Sequence, residues 1–97
     1  MVVGVSVFEL HIPGARSLKE KRKVVKSLVE RIHHRFRVSV SETGYQDLHQ
    51  RSEIAIAAVH LTEKDGRKLM DRVRSMIDME PDASLTYWDP QYLEGFE

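Results

Sequence analysis

Hydrophobic and polar positions along the chain follow two periods, one typical of strands and one typical of helices. Residues 2–12 are rich in β-branched side chains and end at the turn signal Pro13-Gly14, which predicts a strand. The apolar positions from Leu18 to Phe36 recur at helical spacing. The remaining patterns predict a strand over 38–43, a strand over 53–61, a helix from residue 62 to about 80, and a strand over 83–88.

Both predicted helices have N-terminal signals. Ser17 followed three residues later by Glu20 matches the capping box, in which each side chain satisfies a free backbone amide of the other. Thr62 is placed to cap the second helix, and Pro81 ends it. The resulting order is β-α-β-β-α-β, which predicts one ferredoxin-like α+β domain over residues 1–97. This plan has a four-stranded antiparallel sheet with two helices on one face.

Strand hydrophobicity predicts the sheet order and a covered outer face. The first and third strands are apolar in both registers, whereas the second alternates, with Val38 and Val40 inward. Strands that are apolar on both sides belong where both faces are covered. We therefore expect a second copy of the chain on the face away from the helices. The alternative is that small residues such as Ala55 and Ala57 tolerate exposure to water.

Composition excludes several classes of site. Cysteine is absent, which removes disulfides, thiolate metal sites and cysteine nucleophiles. No apolar run reaches the roughly 20 residues of a membrane span, and the N-terminus lacks the basic region of a signal peptide. The five histidines form no chelating pattern, and there is no glycine-rich phosphate loop. We expect a cytoplasmic protein without metal, cofactor or membrane contact.

Charge is unevenly distributed along a chain that is formally neutral. Residues 1–40 hold nine Lys and Arg against three Glu, a net charge of +6, and residues 41–97 hold six against twelve acidic residues, a net of −6. Such asymmetry suggests a polyanionic partner. It also permits the acidic half to neutralise the basic half, because the last twenty residues hold six carboxylates and no cation.

Four cations of the first predicted helix form a ridge when projected at about 100° per residue. This basic ridge comprises Lys19, Arg22, Lys23 and Lys26. His33 lies on the same arc, and Glu30 interrupts it. A ridge of this kind can follow the phosphates of a nucleic acid, although it can also be an ordinary solvated helix face. Lys21 and Arg35 project toward the apolar side, where we expect their stems to cover the rim of the core.

The connection between the second and third strands is rich in hydrogen-bonding side chains. Five of them are candidates for contact with bases: Tyr45, Gln46, Asp47, His49 and Arg51. A structural interpretation is equally open, in which Asp47 caps a short turn and Arg51 pairs with Asp47 or Glu42. Loops without a core to fill serve either solvation or recognition.

Two known uses of the fold do not fit this sequence. RNA-recognition motifs stack bases on aromatic residues of the third strand, and the third strand here has none. Acylphosphatases share the fold, with an arginine after the first strand, where Arg16 is a loose match, and a catalytic asparagine on the third strand. This chain contains no asparagine. A small enzyme using Glu42, Asp47 and His49 as acid–base groups is the remaining catalytic hypothesis.

The segments Ser17–Arg22 and Val38–Arg51 resemble the YlxP-like family of small bacterial proteins with a domain of unknown function. The resemblance covers about residues 2–79. It departs at His49, where the family has a tryptophan, which weakens a stacking role there. The resemblance implies a ferredoxin-like fold and no established enzymatic activity. Family members are typically encoded beside genes for transcription termination, translation initiation and ribosome maturation, which implies a role near RNA or the ribosome.

These observations lead to one main hypothesis and one alternative. The main hypothesis is a non-catalytic RNA- or ribosome-associated protein that binds through the basic ridge and the loop between the second and third strands. The alternative is a homodimeric protein-interaction module that binds no nucleic acid.

Overall fold

A computed structural model describes residues 1–96; Glu97, one of the six acidic residues counted above, lies outside them. The described chain forms five strands and two helices. Their bounds are β1 Val2–His11, α1 Leu18–Phe36, β2 Ser39–Gly44, β3 Arg51–His60, α2 Glu63–Asp78, β4 Ser84–Tyr87 and β5 Gln91–Leu93. No helix within residues 1–96 is both long and apolar enough to cross a membrane.

The strands form one antiparallel sheet in the order β2-β3-β1-β4, with β5 also paired to β1. The prediction of a ferredoxin-like α+β fold with β1 and β3 at the centre is confirmed. The last edge of the sheet differs from the prediction, because it consists of two short strands along β1 instead of one. Pro90 lies between them, and a proline cannot donate a backbone hydrogen bond to a sheet.

The helix caps follow the sequence signals with one difference. Ser17 Oγ accepts the Glu20 amide at 3.1 Å, and Thr62 Oγ1 accepts the Asp65 amide at 3.2 Å. The Glu20 carboxylate accepts the amide of Arg16, one residue earlier than the reciprocal bond of the capping box. Both helices therefore begin where the sequence predicts.

The core lies between the helices and one face of the sheet. Even-numbered residues of β1 and β3 point into it, including Phe8, Leu10, Ile54 and Ile56, all fully or almost fully buried. Odd-numbered residues of the same strands point away from the helices, because successive side chains of a strand alternate between faces. The face with these odd-numbered residues is called the open sheet face below.

Candidate nucleic-acid interface

The basic ridge lies on the solvent side of α1. Lys19, Arg22, Lys23 and Lys26 are all exposed, whereas the buried face of the helix includes Val25, Leu28, Ile32 and Phe36. Seven residues separate the first and last cation of the ridge, which corresponds to roughly 10 Å along the helix axis. Four positive charges are therefore presented to solvent over about two helical turns.

The helix that carries the ridge packs against β2, a strand at the edge of the sheet. Arg22, Lys26 and His33 fall within a narrow arc of α1, and His33 Nδ1 lies 2.8 Å from the carbonyl oxygen of Val38, just before β2. This contact fixes the end of α1 against the segment that leads into β2. Because β2 is the terminal strand in the sheet order, its outer edge has no partner strand within residues 1–96.

No carboxylate within residues 1–96 forms an ion pair with a cation of the ridge. By contrast, Arg31 of the same helix pairs with Glu80 after α2, and Lys21 pairs with Glu42 of β2. Among the described residues, the acidic second half of the chain therefore reaches α1 at positions other than the ridge.

The expectation that Lys21 lies at the rim of the core is wrong. Its side chain is fully buried, and Nζ lies 2.7 Å from Glu42 Oε2 and donates a 2.8 Å hydrogen bond to the carbonyl oxygen of Tyr45. Ser52 Oγ donates to the same carboxylate oxygen at 2.6 Å. Burial of an ammonium group is tolerated because a carboxylate and a carbonyl oxygen both contact it. Arg35 remains exposed, with its guanidinium 5.4 Å from the centroid of the Phe36 ring.

The loop between β2 and β3 is fixed to the segment that precedes α1. Gln50 donates to the carbonyl oxygens of Pro13 and Ala15, and its own carbonyl oxygen accepts the Ile12 amide. Inside the loop, the Leu48 amide donates to the carbonyl oxygen that also binds Lys21. These bonds hold the loop against the segment that leads into α1 and against Lys21 on the buried face of the helix. Three candidate residues are exposed at the tip of the loop: Gln46, Asp47 and His49.

The other two loop candidates lie on the open sheet face, opposite the helices. Arg51 stacks its guanidinium 4.1 Å from the centroid of the Tyr45 ring and lies 3.5 Å from Glu9 Oε1. Glu9 is one of the residues of β1 that point away from the helices. Its contacts therefore place the side chains of Tyr45 and Arg51 on the open sheet face. Arg51 therefore pairs with neither Asp47 nor Glu42, the two partners considered from the sequence.

The Tyr45 hydroxyl is bonded within this group. It donates to the Glu9 carboxylate, which raises the pKa of Tyr45 above its ordinary value, while Arg51 partly opposes the increase. One face of the Tyr45 ring is covered by Arg51. The sequence-predicted site is therefore divided, with the ridge and loop tip on the helix side and Tyr45 and Arg51 on the opposite side.

The three candidate acid–base residues do not share one environment. The Glu42 carboxylate is bound by Lys21 and Ser52, whereas Asp47 and His49 are exposed at the loop tip. Residues 1–96 contain no group of three or more His, Cys, Asp or Glu side chains that could hold a metal ion.

The buried Lys21–Glu42–Ser52 network was missed from the sequence, although a signal for it was present. Lys21 falls on the apolar stripe of α1. Glu42 alternates in step with Val38 and Val40, so its side chain points inward as theirs do. Opposite charges at two inward-facing positions predict a buried pair once the helix is placed over that strand. Glu9 had no comparable signal, because one of its partners is on β3 and the other is in the loop before β3.

The fold and the exposed cations together define a small ferredoxin-like α+β protein with a basic helix beside a free sheet edge. A solution NMR structure of a de novo designed protein with a ferredoxin fold matches with a TM-score of 0.54 at 15% identity, covering 100% of this chain and 90% of that one. This likeness concerns the fold alone.

The sequence comparisons assign the chain to a family. The model of the family described as "Protein of unknown function (DUF503)" matches residues 3–89. The chain is 41% identical over 85 residues to "Uncharacterized protein YlxP" of Bacillus subtilis (strain 168), covering 88% of this chain and 92% of that protein. The chain belongs to this YlxP-like DUF503 family, as the resemblance in the two quoted segments indicated.

Proposed function

We propose that the protein is a non-catalytic, cytoplasmic RNA- or ribosome-associated protein that contacts phosphates through the basic ridge. The observation that carries this proposal is the absence of any carboxylate partner for these four cations within residues 1–96. Because the ridge is also fully on the solvent side of α1, it is open to an external polyanion.

Electrostatics within the helix support an anionic ligand. Lys19 and Lys23 are four residues apart, as are Arg22 and Lys26, and like charges at this spacing destabilise a helix by roughly 0.2–0.5 kcal/mol per pair. A phosphate backbone beside the ridge relieves this repulsion and releases its own condensed counterions. A bound phosphate backbone would therefore neutralise positive charges of the basic ridge that have no carboxylate partner within residues 1–96 of the isolated protein.

In this proposal the loop tip distinguishes one RNA sequence from another. Gln46, Asp47 and His49 are exposed on a loop that main-chain and side-chain hydrogen bonds hold against the segment before α1. Polar side chains on a fixed loop can bond to the edges of unpaired bases. Tyr45 and Arg51 lie on the other face of the sheet, so the proposed RNA contact no longer includes them.

A pair of matched variants tests the proposal. The ridge variant carries Gln at Lys19, Arg22, Lys23 and Lys26, and the control variant carries Gln at Lys64, Lys68, Arg72 and Arg74 of α2. Both lose four positive charges, so a general effect of net charge is equal in the two. We expect binding to fragments of single-stranded ribosomal RNA to weaken by about tenfold or more in the ridge variant and much less in the control.

Equal affinities of the two variants would overturn the proposal, because the ridge would then contribute no specific contact. Crosslinking in cells, followed by RNA sequencing and mass spectrometry of the captured partners, extends the test to the natural ligand. Crosslinks to protein alone would favour the alternative function, a homodimeric interaction module without nucleic-acid binding. The observation that favours this second candidate is the apolar character of the open sheet face.

A further inference from the structure

The open sheet face has an apolar centre built from the two central strands. Cross-strand neighbours on this face are Val3 with Val59, Val5 with Ala57, and Val7 with Ala55. Leu93 of β5 lies beside Val3 and extends the patch onto a third strand. Val7, Val59 and Leu93 are 45%, 68% and 45% exposed, which is unusual for aliphatic side chains grouped on one surface.

The border of this patch is polar. Ser39 and Ser41 of β2 lie beside Ala57 and Ala55, and Gln91 of β5 lies beside Val5. At one end of the face, Glu9 and Glu53 are directly opposite each other on neighbouring strands. An apolar centre with a polar border is the usual composition of a protein–protein interface.

The chemistry of the face does not suit a nucleic acid. Glu9 and Glu53 carry two negative charges against the single positive charge of Arg51, which lies 3.5 Å from Glu9. The side chains at the centre are aliphatic and offer no ring on which a base can stack. A polyanion is therefore repelled by the two carboxylates at one end of the open sheet face, and it meets only aliphatic side chains at the centre.

The size of the face fits a second copy of this chain. Four strands about 4.8 Å apart and about eight residues long give a face of roughly 500 Å², so two copies bury roughly 1,000 Å² in total, near the lower limit for a specific interface. The centre of the surface is aliphatic, so two copies of it can cover each other's apolar side chains. We propose that the protein forms a homodimer in which two open sheet faces pack together, with the helices of both copies outside.

The opposed carboxylates determine the direction of the two-fold axis. An axis parallel to the strands would stack the Glu9–Glu53 end of one copy on the same end of the other, which brings four carboxylates together. Like charges in direct opposition are destabilising. An axis across the strands instead places this end over the Val3–Val59 end of the partner and centres the interface between the Val5–Ala57 and Val7–Ala55 pairs.

This proposal is independent of RNA binding, because the basic ridge is on the helix side. In the dimer the two ridges face outward on opposite surfaces. Loss of RNA affinity in the ridge variant should therefore leave the dimer intact, and loss of the dimer should leave each ridge exposed. The two proposals can fail separately.

Sedimentation velocity over a wide concentration range tests the dimer. We expect the wild-type protein to dimerise, and both Val7→Lys and Val59→Lys to shift the dissociation constant upward by about tenfold or more. Met79→Lys is the matched control, since Met79 is 84% exposed on α2's C-terminal side, away from the sheet face, and should leave the constant unchanged. Near-ultraviolet circular dichroism checks that each variant is folded.

A wild-type protein that remains monomeric at the highest concentration would overturn the proposal. So would equal effects of the sheet-face substitutions and Met79→Lys on association among folded variants.

Cysteine crosslinking tests the axis, because the native chain contains no cysteine. Ala57 is in one of the two middle rows of the face, and His11 is at the end beyond Glu9. With the axis across the strands, two copies of Ala57→Cys are close enough to be joined by a short bismaleimide, and two copies of His11→Cys are far apart. Crosslinking of His11→Cys as fast as Ala57→Cys would overturn this orientation.

Discussion

Lys21 of α1 and Glu42 of β2 form an ion pair across the helix–sheet interface, with Lys21 Nζ 2.7 Å from Glu42 Oε2 and the lysine side chain fully buried. The pair joins the first turns of the helix to the strand that precedes the candidate loop. Its carboxylate also accepts a hydrogen bond from Ser52, and its ammonium group binds the carbonyl oxygen of Tyr45.

Removing one partner of this pair should be much more costly than removing both. Glu42→Gln leaves a buried ammonium without its counter-charge, and we expect the free energy of unfolding to fall by about 3 kcal/mol, the lower end for a broken buried pair because Glu42 retains some exposure. The double variant Lys21→Met/Glu42→Leu should lose only about 1 kcal/mol. Urea unfolding of the single and double variants measures both values. Additive losses would show that the two charges are not coupled.

The pKa of Tyr45 should respond in opposite directions to its two charged neighbours. The hydrogen bond to Glu9 raises this pKa and Arg51 lowers it, so Glu9→Gln should decrease it and Arg51→Gln should increase it further. Absorbance titration of the phenolate, with Tyr45→Phe as the reference, measures the change. A Tyr45 titration that is unaffected by both substitutions would contradict the bonded group on the open sheet face.

The raised tyrosine pKa values also predict how stability depends on pH. Burial raises the pKa of Tyr92, as the Glu9 hydrogen bond raises that of Tyr45. The unfolded chain loses these protons at about pH 10, before the folded protein does. The stabilisation is therefore present in full below about pH 10 and is lost as the pH rises through the folded-state values. Urea midpoints that rise across this interval in wild type, relative to a Tyr45→Phe/Tyr92→Phe variant, would contradict the prediction.

Phe8 should be a major contributor to the core. Its side chain is fully buried, and its ring centroid is 5.5 Å from that of Trp88, the single tryptophan of the chain. Phe8→Ala should lower the free energy of unfolding by about 3–5 kcal/mol and shift tryptophan emission to longer wavelength. Leu61→Ala is the control, because Leu61 is 87% exposed and should change stability by less than about 0.5 kcal/mol. A similar stability for both variants would show that Phe8 contributes little.

RNA binding through the ridge should depend on salt to a defined extent. Neutralising about four phosphates of single-stranded RNA predicts a slope of roughly −3 for the logarithm of the association constant against the logarithm of salt concentration. The ridge variant should give a slope much closer to zero. Fluorescence anisotropy at several salt concentrations measures this. A wild-type slope near zero would mean that phosphate contacts do not drive the binding.

The sequence predicted most of the fold because its signals are local. The apolar, β-branched runs of β1 and β3, the helical spacing in α1 and the caps at Ser17 and Thr62 each depend on residues within one element. β5 was missed because three residues after Pro90 are too few to show a period. Its pairing with β1 depends on backbone groups brought close by the rest of the sheet.

The candidate site was only partly predictable for the same reason. The ridge on α1 follows from helix geometry, so its four exposed cations appear where the sequence placed them. Tyr45 and Arg51 were grouped with Gln46, Asp47 and His49 because all five are close in sequence. The left-handed conformation of Tyr45, with φ of 57°, and the shift in strand register between Glu42 and Gly44 mark a loop whose side-chain directions an alternating pattern does not predict.

The order of the elements, the caps of both helices and the position of the basic ridge follow from the amino-acid sequence alone, because helix and strand periodicity fix these over a few neighbouring residues. The burial of Lys21 against Glu42 and the pairing of Arg51 with Glu9 depend on tertiary packing. Each of these partners is far away in the sequence. Their pairing depends on which charges lose water together when the helix packs on the sheet and the strands align.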